Sequence, residues 1–102
     1  MSRATVVRYT TRPDVTEENE RLIRGVFAEL EEKAPDGFRY MSVRLDDGVS
    51  FVHVALVDGD DNPLSAFASF REFVSAIDSR CAEGPTPANG TVIGNYEKSE
   101  GT

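Results

Sequence analysis

The 102 residues include no tryptophan, one histidine and one cysteine, and each scarcity removes a class of chemistry. A lone thiol, Cys81, cannot close an internal disulfide, so the fold must be held by packing. The chain opens with Met1-Ser2-Arg3 and a strand-like run instead of an apolar signal segment, which makes a reducing cytoplasm the expected compartment. Basic residues are also few: 11 Lys and Arg stand against 18 Asp and Glu, a net charge of -7. Nucleic acid and anionic membrane surfaces, which need a basic patch, are therefore not expected partners. Arg3, Arg8 and Arg12 cluster early, but their alternate spacing and nearby Glu residues suit a solvated rim. No run approaches the roughly 20 apolar residues of a membrane span.

Dedicated chemical motifs are missing as well. There is no phosphate loop, no metal-ligand cluster and no G-x-S-x-G nucleophile turn. Asp58, Asp60 and Asn62 alternate as in a calcium loop, yet Pro63 stands where glycine is required and Ser69 where a bidentate glutamate belongs, so no metal and no cofactor is expected. Asn89-Gly90-Thr91 has the form of a glycosylation sequon and reads better as a turn before a last strand.

What is present is one domain's worth of alternating elements, taken as residues 1–102. Ala4 to Tyr9 is rich in β-branched residues and stops before Pro13, as a strand does. Leu22, Ile23, Val26, Phe27 and Leu30 form a helical stripe, with Asp14 or Thr16 to cap it and Pro35-Asp36-Gly37 to end it. Phe38 to Leu45 and Val49 to Val57 flank Asp46-Asp47-Gly48 as the arms of a hairpin. Pro63, after Asn62 as cap, opens a second helix whose stripe is Phe67, Phe70, Val74, Ile77 and Cys81, with Ala66 and Phe73 beside it. Gly84-Pro85-Thr86-Pro87 ends that helix, and Thr91 to Tyr96 supplies the last strand. The order is βαββαβ, an α+β, ferredoxin-like pattern with a four-stranded antiparallel sheet and two helices on one face.

Hairpin register decides which residues share a face. A two-residue turn at Asp47-Gly48 sets Val43 opposite Val52 and Met41 opposite Val54, whereas a three-residue loop with a bulge at Gly48 shifts the pairing by one. In the first register Met41, Val43, Leu45, Val52, Val54 and Leu56 form an aliphatic face suited to the helices. Phe38, Tyr40, Ser42, Arg44, Phe51, His53, Ala55 and Val57 form the other, which a second copy of the chain is expected to cover.

Thr5-Val6-Val7-Arg8-Tyr9 running through Arg12-Pro13-Asp14, then Pro35 to Tyr40, Phe51-Val52-His53-Val54 and Val92-Ile93-Gly94-Asn95-Tyr96 resemble the dimeric α+β barrel proteins, and among them the antibiotic biosynthesis monooxygenase-like group. The resemblance implies a homodimer packed sheet on sheet. It also implies two activities to weigh. Haem-degrading members rely on a Trp, an Asn and a His on the second helix, and here Trp is absent and the only histidine, His53, falls on a strand. Quinol-type monooxygenases oxidise polyphenolic rings without a cofactor, positioning them with aromatic and hydrogen-bonding residues around a buried cavity.

His53 is the candidate catalytic residue, as a general base; a structural histidine bonded to a strand neighbour is the alternative. Tyr40, Arg44, Asn95 and Tyr96 are the candidate substrate-binding residues. Cys81, Phe67, Phe70 and Phe73 read as packing. Two functions follow: a cofactor-independent monooxygenase acting on an aromatic or quinol-type ligand, or a non-catalytic, ligand-binding or stress-associated homodimer.

Overall fold

A computed structural model describes residues 3–58 and 62–96. Strand β1 (Arg3–Thr11) leads through a 3-10 turn at Pro13–Val15 into helix α1 (Thr16–Lys33); β2 (Phe38–Arg44) and β3 (Ser50–Val57) follow. A second 3-10 turn, Pro63–Ala66, precedes α2 (Ala68–Ser75), the single turn α3 (Ile77–Arg80) and β4 (Cys81–Thr91). All four strands form one antiparallel sheet in the order β2-β3-β1-β4. The expected βαββαβ architecture is the observed one.

Helix α1 carries Glu17 and Glu18 in its first turn and Lys33 in its last, charges that oppose the helix dipole. It buries Leu22, Ile23 and Val26. Neither expected cap is used: Val15 holds the N-cap position, and the Thr16 hydroxyl instead donates to the Arg12 carbonyl. The helix ends as Ala34 turns left-handed at φ 43° and its N–H donates to the Leu30 carbonyl. The Asn62 side chain does accept from the Leu64 N–H, with Pro63 directly after it, but the pair opens the 3-10 turn Pro63–Ala66 and not the second helix, because Phe67 is extended and α2 begins only at Ala68.

Helix α2 is capped from outside. The Glu29 carboxylate of α1 accepts from the Ser69 N–H and hydroxyl while pairing with Lys33 at 2.9 Å. These donors hold the Glu29 carboxyl down to about 2. Glu29→Ala should therefore lower Tm by a few degrees, as loss of a helix cap does, with the deficit shrinking as pH falls from 4.5 toward 2 and the wild-type carboxylate itself protonates. Calorimetry across that range measures it.

In the hairpin, Val43 pairs with Val52 and Met41 with Val54, the register of the shorter turn. Four residues, 46–49, make the bend: Leu45 N–H donates to the Ser50 carbonyl, Gly48 sits at φ 83°, and the Asp47 carboxylate accepts from the Val49 and Ser50 N–H groups. The face assignment, however, is reversed. Phe51, His53 and Ala55 are buried beneath the helices, whereas Met41 is 60% exposed and Val43 40%. The cause is the crossover: β1 and β2 run parallel with β3 between them, and the right-handed path of α1 between parallel strands fixes which side the helices take, whatever the apolarity of that side. The face that no helix covers is therefore the aliphatic one, centred on Val6, Val54 and Met41, and the aromatic face needs no second copy.

The C-terminal third also departs from expectation. The second helix stops at Ser75, where Ala76 adopts φ -129°, and Cys81 opens β4 instead of closing a helical stripe. Strand β4 runs through Gly84-Pro85-Thr86-Pro87 and Asn89-Gly90-Thr91, while Val92 to Tyr96 lie beyond any strand. Prolines can occupy β4 because it is an edge strand, where a missing N–H on the outer side breaks no ladder bond. Glycine and proline, which end a helix, do not end this strand, because both tolerate extended backbone.

Candidate functional site

Burying the aromatic face brings the one histidine under the helices. In β3, His53 pairs with Val7 of β1 on one side and Ser42 of β2 on the other, so Tyr9 and Tyr40, two residues along those strands on the same face, flank its ring. The Tyr9 ring lies 5.4 Å from the imidazole at 14° and the Tyr40 ring 5.9 Å at 19°, both stacked. Phe73 of α2 closes on it at 5.5 Å and 57°. His53 is 4% exposed and Tyr9 2%.

Every polar atom here has a partner. His53 Nε2 and the Tyr9 hydroxyl are 2.8 Å apart, and Nδ1 stands 2.6 Å from Ser42 Oγ and 3.0 Å from the Tyr40 hydroxyl. Asn19 Nδ2 donates to the Tyr9 hydroxyl at 2.9 Å, and Arg80 Nε donates to Asn19 Oδ1 at 3.0 Å. Among the described residues no buried side-chain polar atom is unpartnered.

Burial sets the protonation states. Desolvation pushes His53 down to about 4, so the imidazole is neutral at physiological pH. It pushes Tyr40 up to about 12 and raises Tyr9 as well, keeping both phenols as O–H groups. Beside this cluster lies a cavity of about 220 Å³, bounded by Val7, Tyr9, Tyr40 and His53 of the sheet, Phe70 and Phe73 of α2, and Pro85 and Pro87 of β4. The wall is mostly apolar, with a few convergent hydroxyl and imidazole groups, which is the composition of a small-molecule site.

Of the residues singled out from the sequence, the structure brings His53 and Tyr40 together at this cavity. It places the other three elsewhere. Arg44 caps the hairpin by donating to the Gly48 carbonyl and pairs with Glu20 at 2.9 Å. Asn95 and Tyr96 lie near Arg39 and Leu56 on the helix-free side of the sheet, with Tyr96 88% exposed. Phe70 and Phe73, read as plain core, are core and cavity wall together. Asn19 and Arg80 were missed. A polar residue inside the helical stripe at Asn19 was the available signal, since an Asn interrupting a buried face requires a partner. Among the described residues no group of His, Cys, Asp and Glu could hold a metal ion, and no helix is long and apolar enough to cross a membrane.

No family model and no curated protein matches the chain. Solved structures do. A candidate antibiotic biosynthesis monooxygenase from Nitrosomonas europaea superposes with a TM-score of 0.75 at 15% identity, covering 90% of each chain. A variant of SnoaB, a cofactor-independent oxygenase from Streptomyces nogalater, gives 0.69 at 19% identity over 95% of this chain and 98% of that one. A dimeric ferredoxin-like protein of unknown function from Jannaschia gives 0.68 at 8% identity over 90% and 100%. At these identities the likeness is one of fold, and this chain has the ferredoxin-like α+β fold found among the antibiotic biosynthesis monooxygenase-like proteins.

Proposed function

We propose that the chain is a cytoplasmic homodimer that binds a hydroxylated aromatic ring in the cavity beside His53 and oxidises it with molecular oxygen, without a cofactor. The observation that carries this reading is the buried, neutral imidazole held at the wall of an apolar cavity between two protonated phenols. An anthrone-type substrate suits the chemistry: its ring CH2 becomes C=O and the second oxygen atom leaves as water, so one O2 is consumed per ring oxidised. Loss of a proton makes the ring electron-rich enough to reduce O2, and the protein's part is to hold the ring, exclude water and receive that proton. Tyr9 can pass it to His53 Nε2 at 2.8 Å. An anion formed in the cavity offsets the desolvation that depresses the imidazole, so His53 gains basicity when the substrate ionises.

The homodimer is supported by the aliphatic sheet face, where Val6, Met41 and Val43 stand exposed side by side. The second reading, a non-catalytic ligand-binding homodimer, is favoured by one observation: both ring nitrogens of His53 already have protein partners. Thermal melts with hydroquinones and anthrone, together with oxygen-electrode traces, separate the two. A hundredfold excess over Kd should raise Tm by about 10 °C. Oxygen uptake that His53→Ala abolishes supports the enzyme; a Tm shift without uptake supports the binding protein; no shift with any aromatic ligand overturns both.

A further inference from the structure

Two buried polar residues behind the cavity wall, Asn19 at 0% exposure and Arg80 at 6%, face the histidine cluster without lining the cavity. Arg80 is held in place by its ring contact with Phe73 at 5.3 Å and by donation from Nη2 to the Phe73 carbonyl. A guanidinium can only donate. Asn19 must therefore present its oxygen to Arg80 and its amide N–H to Tyr9. The Tyr9 oxygen, already accepting from Asn19, has its single hydrogen free for His53 Nε2, which must then carry the lone pair. In a neutral imidazole the proton consequently sits on Nδ1 and points to Ser42 Oγ, the nearer of its two hydroxyl neighbours. The Ser42 and Tyr40 hydroxyls both sit at Nδ1, so with the Nδ1 proton given to Ser42 Oγ the Ser42 hydrogen can turn toward the Tyr40 oxygen, leaving the Tyr40 hydrogen for the cavity.

We propose that Arg80 and Asn19 are positioning residues that impose one direction on the hydrogen bonds through Tyr9, hold His53 as its Nδ1–H tautomer and leave Tyr40 as a donor toward an acceptor oxygen of the ligand. The last step rests on the proposed ligand site; the tautomer does not. Asn19→Asp is nearly isosteric and reverses the chain. The carboxylate keeps Arg80 but can no longer donate, so Tyr9 turns its hydrogen toward Asp and accepts from Nε2–H.

Because His53 is the only histidine, 15N-histidine labelling gives one imidazole spectrum. In the ligand-free wild type at pH 7.5 the protonated-type shift should belong to Nδ1, and in Asn19→Asp to Nε2. A wild-type Nε2–H form, or a variant spectrum unchanged from wild type, overturns the proposal, and the wild-type spectrum alone suffices should the variant not fold. For the Tyr40 step, Tyr40→Phe should weaken anthrone binding about tenfold while leaving 9,10-dihydroanthracene, the same rings without the carbonyl, unaffected. Equal losses for both overturn the assignment of Tyr40 as donor. Failure of both ring systems and of the hydroquinones to bind overturns the proposed function and leaves the tautomer result standing.

Discussion

Val54→Asp should convert the protein from a dimer of about twice 11.2 kDa into a monomer of 11.2 kDa, read by light scattering during size exclusion at micromolar concentration. Val54 pairs with Val6 of β1 on one side and Met41 of β2 on the other, which places it at the middle of the helix-free face. Covering such a face with a second copy contributes roughly 1.5–3 kcal/mol for each large side chain fully buried, and a carboxylate among them loses its water without a partner. Association should weaken by a hundredfold or more while far-UV circular dichroism stays native. A wild-type chain that runs as a monomer would remove the homodimer. Phe51→Asp is the instructive contrast: at 2% exposure and stacked on Tyr9 at 5.5 Å, Phe51 lies in the core, so its loss should unfold the chain.

The second large effect is a loss of stability in mild acid, and its sign follows from His53. An unfolded histidine titrates near 6.5, whereas burial pushes this one down to about 4. The folded chain thus binds fewer protons than the unfolded chain between those values, so the stabilisation is complete above about pH 6.5 and falls as pH drops toward 4. The full loss is about 3 kcal/mol at 1.36 kcal/mol for each pH unit of displacement. More than half of it should be visible by pH 5 as a lower urea midpoint. Carboxylates held low by hydrogen bonds or ion pairs, such as Asp47 and Glu29, lose their contribution only below about 4.5 and do not obscure this window. His53→Gln should flatten the profile between pH 6.5 and 5. A wild-type midpoint constant over that range would mean the imidazole titrates normally and is not desolvated.

Strand order, the first helix and the hairpin pairing were legible because each rests on a local rule: β-branched runs, a 3.6-residue stripe, and a glycine that accepts positive φ between two strands. The choice of covered face was not legible, since Met41, Val43 and Val54 are as apolar as any core and only the hand of the crossover decides. Register placed His53 and Tyr40 together correctly, while Asn95 and Tyr96 were linked to the site through a last strand that lies ten residues earlier, at Cys81–Thr91. Arg80 was hidden because its partner Asn19 lies 61 residues away along the chain. Pairings of that span leave no trace in periodicity.

Strand β4 forms one margin of the sheet and carries Pro85 and Pro87 on alternate positions, so both lack an N–H toward the same side. Its ladder with β1 survives only if that side is the outward one, since each bond lost inward would weaken the one pairing that holds β4 to the sheet. Twice along its exposed rim, then, the sheet offers an incoming backbone a carbonyl but no N–H donor, and the slips in pairing near Arg8 and Thr10 bend the rim further from the geometry another strand would need. Growth of the sheet by adding chains at this end is thereby disfavoured. The proposed homodimer, closing through the broad aliphatic face, would leave this rim free, and two residues there that cannot donate work against further chains adding to it.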